Sequence, residues 1–202
     1  MGQPPRHARR QVNAVPPYRP PAVVGEVEAH VWSLVMPARP VRPSAGALPH
    51  GVQIVEARNI TASFYRYLYD TVGAPWCWTA RRLIGDDELL RRVRAPGNEI
   101  HVLWVDGVPA GYAELAADEA PAIWLAYFGL VPEFIGKGLG GRFLDRAVNR
   151  AWDIGAAEVR VQTCNLDHAA ALPNYERAGF RRDGERYETL PVVAGVTANP
   201  RP

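Results

Sequence analysis

Four glycines, Gly136, Gly138, Gly140 and Gly141, crowd into six residues and lead directly into "RFLDRAVNRAWDIG". Glycine weakens a helix or strand interior by roughly 0.5–1 kcal/mol relative to alanine, so such a cluster marks a place where backbone freedom is required. Two readings stand on this segment alone. It is a turn that lets a strand and a helix pack closely, or a set of bare amides aimed at a phosphate from a helix N-terminus. Under either reading a strand precedes and a helix follows. "PAIWLAYFGLVP" is nearly all apolar, as a central strand covered on both faces must be. Beyond the glycines, Phe143, Leu144, Ala147, Val148 and Ala151 fall at helical spacing, and Gly155 ends the pattern.

The remaining elements follow from changes of period. Strands are predicted over 27–36 and 52–57, separated by the proline-rich loop "MPARPVRPSAGALPHG". "NITASFYRYLYDTVG" predicts a helix capped by Asn59 or Thr61, with Phe64, Leu68 and Val72 on one face and Gly73 at its end. "GDDELLRRVRAPG" predicts a shorter helix opened by acids. "EIHVLWVDGVPAGYAEL" alternates around Asp106-Gly107, a hairpin signature. After the glycine-led helix come a strand, "AEVRVQT", and a helix, "LDHAAALPNYERAG", with Asp167 as expected N-cap and Pro173 loosening its interior. A last strand, "FRRDGERYETL", completes the order β-β-α-α-β-β-β-α-β-α-β, a mixed α/β sheet in one domain. The expected division is a flexible Pro/Arg-rich tail at 1–25, a single domain at 26–190 and a C-terminal tail at 191–202.

The 202 residues suit one domain of ordinary size, and a 48% hydrophobic content excludes disorder of the whole. No apolar run approaches the roughly 18 residues of a membrane span, and no apolar stretch follows the basic N-terminus as a signal peptide requires. A formal charge of +2 gives no global case for nucleic acid. The basic excess is confined to Arg6, Arg9, Arg10 and Arg19 in the tail, where a nucleic-acid or membrane-surface arm is the alternative to a plain solvated segment. Cys77 and Cys164 lack metal-ligand spacing, no metal is expected, and a reducing, cytoplasmic setting is the simplest one.

Three phosphate-binding templates can be tested on the glycine loop. A P-loop needs Ser or Thr after its lysine, and Gly138 follows Lys137. Gly136, Gly138 and Gly141 match the dinucleotide pattern G-x-G-x-x-G, but Pro132 to Ile135 intervene where the strand should end and too little chain follows for a second half. The third template, Q/R-x-x-G-x-G/A between a strand and a helix, takes Gly138 and Gly140 at its glycine positions.

On this loop together with "NLDHAAALPNYERAGF", the chain resembles the Gcn5-related N-acetyltransferases, from about residue 52 to 190 and most densely over 124–180. "GLVPEFIGKGLGGRFL" is similar to that family's strand–loop–helix signature for the pyrophosphate of coenzyme A, and the later segment to its helix bearing a tyrosine and ending in Gly-Phe. The resemblance implies a mostly antiparallel mixed sheet with a splayed strand pair and helices on both faces. It also implies acetyl-CoA as co-substrate. The expected cofactor-binding set is backbone around Phe128, Gly129, Leu130 and Val131 for the pantetheine arm, and Ile135, Gly136, Lys137, Gly138, Leu139, Gly140, Gly141 and Arg142 for the phosphates, with Asn165 and His168 nearby. Tyr175 is implied as the general acid that protonates the departing thiolate. The departures are Ile135, where the family prefers Gln or Arg, His168, often asparagine, and Trp124, where some members carry a catalytic glutamate.

A base for the attacking amine must then come from elsewhere. Glu114, on the strand beside "IWLAYFGL", is the first choice, with Tyr127 and His101 behind it and a water relay as the alternative. Cys164 is either a nucleophile or a small buried filler. By resemblance, the acceptor binds near the first two helices, a region rich in aromatics: Tyr65, Tyr69, Trp76 and Trp78, with Tyr127 as a further candidate. Such a wall suits a small molecule with an apolar or cationic part. The expectation is therefore an N-acyltransferase acting on a primary amine of a small molecule by direct attack, with no nucleic-acid or membrane partner and a homodimer left open. The competing expectation is a non-catalytic acyl-CoA sensor of the same fold.

Overall fold

The computed structural model describes residues 16–41, 46–118 and 121–196. Parts of both expected tails, 1–15 and 197–202, lie outside the described residues. Among those described, seven strands form one sheet: β1 (Val23–Met36), β2 (Val52–Glu56), β3 (Glu99–Val105), β4 (Val108–Ala117), β5 (Ala122–Leu130), β6 (Glu158–Cys164) and β7 (Arg181–Val193). The helices are α1 (Ala62–Gly73), α2 (Asp86–Val93), α3 (Leu139–Asp153) and α4 (Ala171–Ala178). None of these helices is long and apolar enough to cross a membrane.

The sheet order is β2-β3-β4-β5-β6-β1-β7. Every neighbouring pair is antiparallel except β5 and β6, which the α3 crossover makes parallel. β1 begins at Val23, ahead of the expected residue 27, because β7 also runs on to Val193 and the two pair along that whole length. The first strand thus enters the sheet as an inner strand, between β6 and the edge strand β7.

Local sequence explains most element ends. The Thr61 hydroxyl accepts from the Phe64 amide and caps α1. Tyr65, Leu68, Tyr69 and Val72 form the buried stripe, so Leu68 and Val72 are buried as expected while Phe64 is half-buried at its edge. Three acids open α2 and two arginines close it, both favourable to its dipole. Asp106 and Gly107 both take left-handed backbone at the β3–β4 turn, as a two-residue hairpin requires.

Helices cover both faces. Leu103, Ala113, Leu115, Leu125, Val159 and Val161 pack with Phe143, Leu144 and Val148 of α3. On the other face Ile100, Val102 and Tyr112 pack with Tyr65, Leu68, Tyr69 and Leu89 from α1 and α2. Tyr112 and Ala113 are neighbours on β4 yet serve opposite cores, which is strand alternation at work.

The feature that positions the site is a parting of strands. β5 pairs with β6 only from Ala122 to Leu125. At that point Ala126 is an extra residue against β4, where Glu114 faces Tyr127 and Leu115 faces Leu125. Such a bulge re-aims the strand beyond it. β5 continues on β4 to Leu130 while β6 continues on β1 to Cys164, and a wedge opens between them.

Candidate active site

The wedge is a cavity of about 510 Å³. One side is formed by Phe128, Gly129 and Leu130 of β5, by Ile135, Gly136, Gly140 and Gly141 around the start of α3, and by Tyr175 of α4. The other side is formed by Tyr69, Trp76, Trp78 and Tyr127, with Thr163, Asp167 and His168 from the end of β6. β5 backbone beyond Leu125 has no strand partner on the β6 side, so its amides and carbonyls there are available to an extended ligand arm.

At the glycine loop, Gly136 and Gly138 have φ of 81° and 73°, left-handed conformations that side chains other than glycine resist. Gly138 is the N-cap of α3 and offers no side-chain cap, so the first-turn amides have no protein acceptor from a capping group. Open space lies where a Cβ would stand on Gly136, Gly138 or Gly141. Bare amides at the positive end of a 15-residue helix suit an anion. Lys137 is exposed, its ammonium 5.0 Å from the Phe134 ring centre. The Arg142 guanidinium donates to the Ala47 carbonyl at 2.9 Å. Leu139 is buried in the core under the helix start, and Ile135 contributes an apolar wall.

Tyr175 is buried among aromatic rings, edge-on to Phe128 and Phe180 at 6.5 and 5.9 Å. Its hydroxyl has no hydrogen bond to any described residue, although the side chain lines the cavity. Burial, reinforced by the nearby Asp167 carboxylate, pushes its pKa well above the ordinary tyrosine value. It therefore stays protonated at neutral pH, as a proton donor must. Pro173 does not disturb the helix that carries it. α4 begins at Ala171 rather than near Asp167, so Pro173 lies in the first turn, where an amide would be unpaired anyway. The first main-chain bond, from the Asn174 amide to the Ala170 carbonyl, comes just after it.

Several expected residues stand elsewhere. Glu114 is wholly buried and off the cavity wall; one oxygen accepts from the Tyr65 hydroxyl and the other from Arg81 Nη2 at 2.5 Å. Its carboxylate is occupied by these partners, and Tyr65 is turned away from the cavity with it. Asn165 faces β1, its side-chain oxygen accepting from the His30 amide at 3.0 Å and its own amide donating to the His30 carbonyl. Val131 is buried beneath α1, its amide bonded to Ala110. His101 bonds Glu99 at 2.7 Å, away from the wedge. Trp124 sits in the paired part of β5, donating to Asp118 at 2.8 Å. His168 does line the cavity; its Nδ1 accepts from the Ala170 amide, which leaves the ring proton on Nε2, and its ring meets Trp76 at 5.2 Å.

Asp167 is the residue that sequence reasoning misassigned. It caps the turn after β6 instead of α4, accepting from Thr163 Oγ1 at 2.7 Å, the Cys164 amide at 3.0 Å and Trp78 Nε1 at 3.3 Å. Burial raises its pKa above the ordinary carboxylate value. The signal available was an acid three residues past a strand end, on the segment leading to Tyr175. Beside it, Cys164 is pushed up to about 12 by burial and then by Asp167, which makes it a poor nucleophile.

Close packing on the aromatic side depends on a missing side chain. A Cβ on Gly129 would stand 2.5 Å from Val72 Cγ1, so only glycine lets α1 approach β5 here. Trp78 rests on Tyr69 and Tyr127 at 5.5 and 5.1 Å.

The comparisons with known proteins agree with this fold. Residues 59–180 match the Acetyltransferase (GNAT) family. Among solved structures, a GCN5-related N-acetyltransferase from Kribbella flavida aligns at TM-score 0.56 and 19% identity over 88% of this chain and 63% of that one. A GCN5-related N-acetyltransferase from Sphaerobacter thermophilus aligns at 0.58 and 16% identity over 89% of this chain and 54% of that one. This chain thus spans less than two thirds of the length of these two proteins. A Bacillus subtilis acetyltransferase, solved in complex with CoA, aligns at 0.50 and 19% identity over 64% of this chain and 76% of the other. No curated protein matches the chain. At these identities the solved structures speak to fold, and the family match, which covers more than half of the chain, establishes that it belongs to the GNAT acetyltransferase family.

Proposed function

We propose that this chain, with residues 26–190 as its acyltransferase domain, transfers an acetyl group from acetyl-CoA to a primary amine of a small molecule by direct attack. One observation carries the reading: the uncapped start of α3 and the unpartnered hydroxyl of Tyr175 open onto the same wedge between β5 and β6. The co-substrate supplies an activated acyl thioester. The first-turn amides of α3 and the glycine loop hold its pyrophosphate, and the free edge of β5 at Phe128, Gly129 and Leu130 holds its pantetheine arm. The acceptor enters from the side of Tyr69, Trp76, Trp78 and Tyr127. Its nitrogen lone pair attacks the thioester carbonyl carbon, the C–S bond breaks, and Tyr175 gives its proton to the leaving sulfur. The proton lost by nitrogen passes into cavity water, which returns one to the tyrosinate left at Tyr175, since Glu114 is occupied by Arg81 and Tyr65.

The test is coenzyme A binding by calorimetry beside thiol release from acetyl-CoA across a panel of amines. Binding with turnover supports the reading. Binding without turnover on any amine favours an acyl-CoA sensor, a reading that the occupied Glu114 keeps in play. Absence of binding overturns both.

A further inference from the structure

Only two of the described cavity-lining residues, Asp167 and Glu188, are carboxylates, and none is lysine or arginine. Glu188 has a cation of its own, Arg186 at 2.8 Å. Asp167 has none: its three partners are a hydroxyl, an amide and an indole N–H, and no ion pair joins it to a described residue. A carboxylate withdrawn from water without a counter-charge is costly, and a bound cation offsets that cost. Trp78 anchors one oxygen of Asp167 from the aromatic side, and Trp76, Trp78 and Tyr127 line the same space with π surface that also favours a cation. A second carboxylate brought in by a ligand would find no lysine or arginine among the described lining residues, Arg81 behind Tyr127 being already paired with Glu114, and would be repelled by the carboxylate already there.

We propose that the acceptor is a cationic amine without a carboxylate, its ammonium seated at Asp167 against Trp76 and Trp78. This rests on the acyltransferase reading above and names its acceptor class. Amino acids are excluded by the charge of the wall, whereas the amines that correspond to them without the carboxylate are admitted. Asp167 acts as a specificity determinant: a monoamine that arrives as its ammonium loses one proton to cavity water before its lone pair attacks, a diamine keeps its second ammonium at Asp167, and protonation of the leaving sulfur stays with Tyr175.

Matched pairs test this at saturating acetyl-CoA: phenethylamine against phenylalanine, and 1,4-diaminobutane against ornithine, followed by thiol release. The expected kcat/KM favours each amine over its amino acid by about 100-fold or more, the scale on which sites reject a mispaired polar group. In Asp167→Asn the ratio should fall at least about tenfold while the Kd of coenzyme A is unchanged, a pattern that a general loss of structure would not produce. Should that variant fail to fold, the wild-type ratios decide alone. Equal use of amine and amino acid by the wild type, or an unaltered ratio in folded Asp167→Asn, overturns the charge selection while leaving the acyltransferase reading intact. Failure to bind coenzyme A would instead overturn that reading and this inference together.

Discussion

Arg81 and Glu114 form a salt bridge at 2.5 Å in which the carboxylate is wholly buried and the guanidinium nearly so. Burial works against the charge on Arg81, and Glu114 with the surrounding tyrosines more than offsets it. Removing one member of such a pair leaves the other charged and unpaired, at a cost of about 3–5 kcal/mol. Glu114→Gln keeps the shape and removes the charge. Its Tm should fall by something on the order of 10 °C for a chain of this size. At a temperature where the variant is folded, kcat should stay close to wild type. Full stability with a hundredfold drop in kcat would reverse the assignment and make Glu114 the base.

Tyr175→Phe tests the opposite residue type, one whose hydroxyl bonds none of the described residues. Removing it leaves no buried polar group unsatisfied, so stability should change little. The expected effect is a fall in kcat of about 10²-fold, in the usual range for general acid–base catalysis, with the coenzyme A Kd near its original value. An unchanged kcat would remove Tyr175 from the mechanism.

The residues legible in the sequence are those whose roles depend on near neighbours in the chain. The glycine loop, the Thr61 cap, the Asp106-Gly107 hairpin and the Tyr175 helix are all local signals, and the splayed sheet followed from family resemblance built on two of them. Glu114 was legible as a carboxylate on a strand but not as an occupied one, because Arg81 lies 33 positions upstream and Tyr65 49. Asp167 has the pattern of a helix cap, and only the folded end of β6 shows that Thr163 and Cys164 claim it first. The insertion of β1 beside β6 is fixed by pairings such as His30 with Asn165, 135 positions apart, which no local period reports.

The same limit hid a role for Tyr18, which sequence composition assigned to the flexible tail. Its ring lies 3.3 Å from the Arg66 guanidinium carbon, and its hydroxyl donates to the Arg82 carbonyl at 3.1 Å. Arg66 in turn donates to Asp86 and to the carbonyls of Arg81 and Ile84. Tyr18 is therefore a clasp on the segment that follows Trp78, Thr79 and Ala80, which line the cavity. Tyr18→Ala should cost about 1–2 kcal/mol, one cation–π contact and one hydrogen bond. Hydrogen exchange should quicken over residues 79–85, and KM for the amine should rise more than kcat falls. Unaltered exchange in that segment would show that the clasp carries no stability.

Cys164 gives a pH-dependent prediction. Its pKa, pushed up to about 12 by burial and by Asp167, keeps the thiol protonated throughout the physiological range. Only the thiolate reacts with iodoacetamide. Alkylation at Cys164, followed by peptide mapping, should therefore be very slow at pH 8 and keep rising about tenfold per pH unit past pH 10, where an ordinary cysteine with pKa near 8.5 has levelled off. A plateau below pH 9 would show an accessible, activated thiol and restore Cys164 as a nucleophile.

The glycines at the start of α3 separate backbone strain from ligand contact. Gly138 has φ of 73°, so alanine there is strained by roughly 1–2 kcal/mol even though its Cβ would meet nothing within 4 Å. Gly141 lies inside α3 in ordinary helical backbone, and its Cβ position is equally open. Alanine at 141 should leave stability unchanged or raise it by up to about 1 kcal/mol. For folding, then, the two substitutions have opposite signs. For the coenzyme they should agree, because Gly141 lines the cavity and Gly138 sets the direction of the first amides. Both variants are expected to raise the coenzyme A Kd by about tenfold or more, the loss of roughly one charge-assisted hydrogen bond. Thermal melts beside calorimetric titrations read the two effects independently. If Gly141→Ala is as stable as wild type and binds coenzyme A equally well, the glycines serve strand–helix packing and the phosphate cradle must be sought elsewhere.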